Sequence, residues 1–274
     1  MKEFCLITGA ASGIGYEFAR IFADQDYNLV LVDLNATKLS EIKNDFEEKY
    51  HCRIENMIIN LTDPQAAQKI YETTKSQGIK IQVLVNNAGF GVFGSFYEAD
   101  QRRQLDLLQL SVTTTTQLTH LFLKDMINRN SGKILNVSSI AAFQPGPFMA
   151  VYYASKAYLL HFGMALANEL KDTNITVTTL CPGVTKTNFQ RSNGNLLPKF
   201  GVFSASPEKV AGYGYISLMR GKPLAIPCFY NRVIAALHRF MPLRSATQLS
   251  RLIQTTNRNE ELVTSEWRER RVIH

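Results

Sequence analysis

The four cysteines, Cys5, Cys52, Cys181 and Cys228, are too few and too far apart for a disulfide framework. No Cys-x-x-Cys pair or neighbouring histidine gives metal-site spacing. They read as free thiols of a reducing compartment. Long apolar runs are equally scarce. The longest stretch without a charged side chain, Ile134 to Ser155, is broken by Asn136, Ser138, Ser139, Gln144, Pro145, Gly146 and Pro147, which excludes a membrane-spanning helix there. Met1 to Ile7 leads directly into a strand pattern with no room for the regions of a signal peptide, so a cytoplasmic protein is expected. Internal repeats and low-complexity tracts are lacking too.

What is present is ordinary for a globular chain. With 45% hydrophobic and 19% charged residues, disorder along most of the length is excluded. A chain of this size buries roughly three quarters of its unfolded surface. The charge is uneven. From Arg220 to His274 ten Lys/Arg face four Glu, so this end carries +6 of the net charge of +7. Such an end suits a membrane surface, an anionic substrate or nucleic acid, or else a solvated helical surface. Nucleic acid is the weakest of these, because the basic residues are not interleaved with a recognisable binding motif.

Short β-branched runs at Phe4–Thr8, Tyr27–Val32, Asn56–Ile59, Ile81–Val85, Lys133–Val137, Ile175–Leu180 and Leu224–Ile226 alternate with segments of helical period. The alternation predicts an α/β fold, a single doubly wound parallel sheet with helices on both faces and right-handed crossovers. Residues 1–228 make up this unit. Within it, residues 184–206 form a long connection with Phe189, Leu196, Leu197, Phe200, Val202 and Phe203, which predicts a substrate lid. Residues 229–274 are a basic helical extension of the same domain, with helices at Asn231–Met241 and Ala246–Ile253 separated at Pro242.

The first strand runs into Gly9-Ala10-Ala11-Ser12-Gly13-Ile14-Gly15 and then a helical pattern. Glycines at a strand-to-helix turn let the backbone approach a pyrophosphate, and the helix N-terminus offers unpaired N–H groups. The second strand ends at Asp33, eighteen residues past Gly15, where a carboxylate suits ribose hydroxyls and repels a 2′-phosphate. Ser12, Leu34 and Asn35 add no compensating cation, so NAD is expected over NADP. The alternative for Asp33 is a helix cap.

Tyr152 and Lys156 stand four apart and share one face of a helix over Val151–Leu170. Lowering a phenol from pKa 10 to near 7 needs about 4 kcal/mol of differential stabilisation. An exposed ion pair gives only about 0.2–1 kcal/mol, so the pair needs a partly desolvated site with further positive charge, which an oxidised nicotinamide ring would supply. Tyr153 and Tyr158 lack such a lysine and read as packing residues.

Thr8-Gly9-x-x-x-Gly13-Ile14-Gly15, Asn86-Asn87-Ala88-Gly89, Ser139, Tyr152-x-x-x-Lys156 and Pro182-Gly183-x-x-x-Thr187 stand in the order and at the approximate distances of the short-chain dehydrogenase/reductase family, which the sequence resembles over at least Lys2 to Thr187. The resemblance implies a Rossmann-type domain and an NAD(P)-dependent oxidoreductase acting on CH–OH or C=O groups. It implies that Ser139, with Ser138 as rival, hydrogen-bonds the substrate oxygen, that Tyr152 exchanges a proton with it, and that Lys156 lowers the Tyr152 pKa and holds the nicotinamide ribose. It places Gly9, Ser12, Gly13, Ile14 and Gly15 at the pyrophosphate, Asn60 and Leu61 near the adenine, Asn87, Ala88 and Gly89 at the adenosine ribose, and Pro182, Gly183, Thr185 and Thr187 toward the carboxamide. Two positions depart from the pattern. Ser111 stands where a relay Asn is usual, and Asn60 where an Asp is usual. Members commonly form homodimers or homotetramers through the helices that here span about Gln101–Met126 and Val151–Leu170.

Apolar residues fill the loops expected at the carboxyl ends of the strands: Phe90, Val92, Phe93 and Phe96, then Phe143, Pro145, Phe148 and Met149. Ligands bind at that edge, so a hydrophobic alcohol or ketone is the expected substrate. A catalytically weak NAD(H) sensor and a membrane-surface protein are the competing functions. For the latter, Val233, Ile234, Leu237, Phe240 and Met241 form a stripe bordered by Arg232, Arg239 and Arg244, which suits either an interfacial helix or packing over the lid or another subunit.

Overall fold

The computed structural model describes residues 2–187, 189 and 204–256. Its strands are β1 (Phe4–Thr8), β2 (Asn28–Asp33), β3 (Ile54–Ile58), β4 (Ile81–Asn86), β5 (Gly132–Val137), β6 (Ile175–Leu180) and β7 (Leu224–Ala225). They form one sheet in the order β3-β2-β1-β4-β5-β6-β7, every neighbouring pair parallel. The helices are α1 (Gly13–Asp24), α2 (Ala36–Tyr50), α3 (Ala66–Ser76), α4 (Gln101–Leu108), α5 (Thr115–Arg129), α6 (Ala150–Glu169), α7 (Pro207–Met219), α8 (Phe229–Phe240) and α9 (Leu243–Thr256).

Successive strand side chains point to opposite faces, and both faces are covered, so the central strands send apolar side chains into both layers. In β1, Cys5 and Ile7 join a core layer with Phe18 and Phe22 of α1, Phe46 of α2 and Val210 of α7. Leu6 between them joins the opposite layer with Ile70 of α3 and Leu118 and Phe122 of α5. The predicted doubly wound sheet is therefore present. β3 begins two residues earlier than its apolar pattern suggested, because Ile54 is fully buried while Glu55 interrupts the run. β2 begins one residue later, since the Tyr27 N–H closes the turn after α1 on the Phe22 carbonyl.

The long helix expected over Gln101–Met126 is interrupted. Gln109–Thr114 winds as a π-helix between α4 and α5, with the Thr115 hydroxyl donating to the Leu110 carbonyl at 3.2 Å. Four consecutive threonines, Thr113 to Thr116, give β-branched crowding and hydroxyls that compete for carbonyls, which favours such a wide turn. Among the described residues no helix is long and apolar enough to cross a membrane, and no cluster of His, Cys, Asp or Glu is fit to hold a metal.

Candidate active site

The carboxyl ends of the strands carry a cavity of about 860 Å³. At one end is the glycine turn. Gly9 sits at φ +68°, and a Cβ on it would meet the Ala88 Cα at 2.9 Å. A Cβ on Gly15 would lie 2.0 Å from the Gly9 carbonyl oxygen, so only glycine lets α1 start this close to the turn. Gly9, Ser12, Gly13 and Ile14 line the cavity, whereas Gly15 lies behind the turn. Ser12 is the N-cap of α1, yet its hydroxyl makes no capping bond.

The neighbouring loops hold this turn. The Asn87 side-chain amide donates to the carbonyls of Thr8 at 2.9 Å and Gly9 at 3.2 Å, while the Thr8 hydroxyl accepts from the backbone N–H groups of Asn87 and Ala88. At the end of β2, Asp33 accepts from the Ala11 N–H at 3.0 Å and the Asn35 N–H at 3.1 Å. The cap of α2 is Asn35, accepting from Lys38 N–H, and not Asp33. Asn60 and Leu61 line the same end, the Asn60 side chain accepting from both the N–H and the hydroxyl of Thr62. The open turn, bared backbone and neighbouring carboxylate fit a dinucleotide.

At the other end, β5 delivers Ser138 and Ser139, and α6 delivers Tyr152 and Lys156. The Ser138 hydroxyl donates to the Lys156 carbonyl at 2.7 Å, which commits it to the backbone of α6. Ser139 accepts from the Ala141 N–H at 3.1 Å and is hydrogen-bonded to the Tyr152 hydroxyl. The Lys156 Nζ donates to the Val137 carbonyl at 2.9 Å and lies 5.7 Å from the centre of the Tyr152 ring. Burial pushes the Tyr152 phenol well above its ordinary value, more than the Ser139 bond pulls it back. Burial likewise pushes the Lys156 ammonium down, to about 8. The protein's own residues thus do not produce the lowering of Tyr152 expected from the sequence. Both groups are desolvated, and one of the three Lys156 donors is held by a backbone carbonyl.

Gly89, Pro182, Gly183, Thr185 and Thr187 complete the wall between the two ends. The Thr185 hydroxyl donates to the Gly183 carbonyl at 3.0 Å, and Thr187 comes within 3.1 Å of where a Gly13 Cβ would lie. Ser111 is not among the residues lining the cavity, although its neighbour Leu110 is. Ser111 is 1% exposed within the π-helix, against which α6 packs, and its Oγ has no hydrogen-bond partner among the described residues.

Only some of the predicted apolar residues reach the cavity. Phe90 and Met149 line it, and Phe189 lies 5.5 Å from the Tyr152 ring. Phe93 and Phe148 instead pair with each other at 5.8 Å, and Phe96 faces water. Of the predicted lid, Val184, Thr185, Thr187 and Phe189 line the cavity, while Leu196, Leu197, Phe200, Val202 and Phe203 lie outside the described residues. The tail contributes what no motif signalled. Tyr230, Asn231 and Ile234 of α8 and Ile253 and Gln254 of α9 form a wall of the cavity. A Cβ on Gly183 would meet the Asn231 side chain at 2.5 Å, so this glycine lets α8 close in. Tyr153, read from the sequence as a packing residue, also lines the cavity and accepts from the Gln254 side-chain amide at 2.6 Å.

The profile of the family described as short chain dehydrogenase matches residues 3–196. The chain belongs to that family. Among relatives, the very-long-chain 3-oxoacyl-CoA reductase of Phaeosphaeria nodorum is 33% identical over 64% of this chain and 52% of its own length. The mouse 17-beta-hydroxysteroid dehydrogenase type 3 is 32% identical over 66% of this chain and 60% of its own. The matches therefore span little more than half the length of these short-chain dehydrogenase relatives. A Sphingobium yanoikuyae short-chain dehydrogenase in complex with NADPH is 25% identical with a TM-score of 0.78, covering 87% of this chain and 95% of its own.

Proposed function

We propose that the protein is a nicotinamide-dependent oxidoreductase that reduces the carbonyl of a hydrophobic ketone. The observation that carries this reading is the buried, neutral Tyr152 hydroxyl hydrogen-bonded to Ser139 at one end of a cavity whose other end is the glycine turn. A bound nicotinamide dinucleotide supplies the hydride. Ser139 Oγ holds the substrate oxygen, and Tyr152 Oη gives it the proton that completes the alcohol. Lys156 stabilises the phenolate left behind until solvent reprotonates it. A phenol that is protonated near neutral pH can donate to the substrate oxygen. Phe90, Met149, Phe189, Ile234 and Ile253 make the substrate end apolar, in keeping with relatives named for acyl and steroid substrates. The test is cofactor oxidation against a panel of bulky aliphatic, acyl and steroid ketones. Absence of turnover across the panel with either cofactor would leave the sensor reading in its place.

NAD(H) is the proposed cofactor, because Asp33 presents a carboxylate and the adjoining Leu34, 64% exposed, presents no cation. NADH is expected to bind about tenfold or more tightly than NADPH, and Asp33→Asn to narrow the gap. Fluorescence titration giving equal or tighter NADPH binding would reverse the assignment. Ser111 is proposed to serve proton supply from behind the wall, since its buried hydroxyl is not otherwise engaged. Ser111→Asn is then expected to hold or raise the turnover rate and Ser111→Ala to lower it severalfold. A rate indifferent to both would remove Ser111 from the mechanism.

Free thiols at all four cysteines support a reducing, cytoplasmic compartment. Exposed Leu105 and Leu108 on α4 and Tyr158 and Met164 on α6 support a homodimer or homotetramer through those helices.

A further inference from the structure

The helices α8 and α9 are apolar on two sides. One side walls the cavity. The other faces water, with Phe229, Leu237, Phe240, Leu243 and Leu252 between 59% and 86% exposed. Nine of the twenty exposed large hydrophobic residues among those described fall between Phe229 and Ile253, so the apolar surface is concentrated here. Ile234 and Ile253 belong to both sides, lining the cavity while remaining 38% and 41% exposed.

The charge on this hairpin selects what it meets. From Phe229 to Thr256 the sequence holds Arg232, Arg239, Arg244 and Arg251 and not one Asp or Glu. Arg232 donates to Tyr213 and to the Ile226 carbonyl, and Arg251 lies over the Phe148 ring. No ion pair among the described residues involves an arginine of these helices. A second copy docked face to face would set these cations against one another. The two-fold interface proposed above would use the separate apolar surface on α4 and α6.

We infer that the α8–α9 hairpin docks on an anionic lipid bilayer, its apolar residues entering the headgroup boundary and its arginines meeting lipid phosphates. Docking places the outer wall of the cavity at the bilayer. If the chain acts on hydrophobic ketones, as proposed above, substrate then has a route from lipid past Ile234 and Ile253, but the docking itself does not depend on that activity.

The experiment is sedimentation of the full chain with phosphatidylcholine vesicles, with and without about one-third phosphatidylglycerol. Expected are binding to the anionic vesicles alone, release in about 1 M salt, and about tenfold weaker binding for the double variant Phe240→Ser/Leu243→Ser and for Arg244→Glu. Neither variant touches the cavity wall, so turnover of a water-soluble ketone without vesicles should be unchanged, and docking and activity are read separately. Protein left in the supernatant with anionic vesicles, equal binding to neutral vesicles, or unaltered binding by both variants would overturn the inference. So would a dimer that Phe240→Ser/Leu243→Ser dissociates, which would assign the face to a second copy. Deletion of residues 229–274 is unsuited to this purpose because it opens the cavity.

Discussion

Tyr152→Phe is expected to lower kcat about a thousandfold while leaving the melting temperature and the cofactor Kd nearly unchanged. The substitution removes one oxygen. Its partner Ser139 keeps the bond from the Ala141 N–H, and the ring keeps its packing against Phe189 and Tyr153. Little of the fold therefore depends on that hydroxyl, whereas the proposed reaction takes its proton from it. Steady-state turnover with a responsive ketone, beside a thermal melt and a cofactor titration, separates the two effects. Activity within tenfold of the parent would place the acid elsewhere.

Lys156→Met is expected to abolish turnover about a hundredfold or more and yet to raise the melting temperature at neutral pH. The folded-state pKa of Lys156 is about 8, below the ordinary 10.5, because its ammonium is buried. The unfolded chain thus binds this proton more tightly. Below pH 8 the folded protein bears the full cost of the buried charge. Between pH 8 and about 10.5 that cost fades as the folded state releases its proton, so wild-type stability rises with pH across this window. Methionine carries no such cost and forfeits the charge-assisted bond to the Val137 carbonyl, worth about 1.5–3 kcal/mol. The advantage of the variant, several degrees at pH 7, should shrink steadily above pH 8. A variant less stable than the parent at every pH would show that the lysine holds the fold rather than burdening it.

The parts of the molecule legible in the sequence are those where one residue type answers to one local demand. The continuous apolar runs of β1, β2 and β4 exist because both faces of the sheet are covered, and periodicity reports that directly. Gly9 and Gly15 were readable because nothing else fits a turn this close to a helix start. That Tyr152, Lys156 and Ser139 share one cavity was readable from their order and spacing. What stayed hidden depends on tertiary approach. Gln254 meets Tyr153 across 101 residues, and no pattern in either segment announces the other. That the Ser138 hydroxyl goes to the Lys156 carbonyl while that of Ser139 takes the Ala141 N–H follows from the register of β5 against α6, which two adjacent serines cannot reveal. The π-helix at Gln109–Thr114 reads as ordinary helix until its width is seen. The rise in the Tyr152 pKa was hidden for a similar reason: spacing brings a lysine near, but only the packed structure shows that its Nζ is engaged by Val137.

The Gln254–Tyr153 contact also sets the order in which the protein becomes competent during synthesis. The turn around Gly9 and its braces from Asn87 belong to the first third of the chain and can assemble early. Tyr152 follows, still open to water. The wall that encloses it arrives only with α9, about 5–20 s later at ordinary elongation rates. Until then a nascent chain has its glycine turn but no closed cavity, so a ribosome stalled before Gln254 leaves the Tyr152 end open to water.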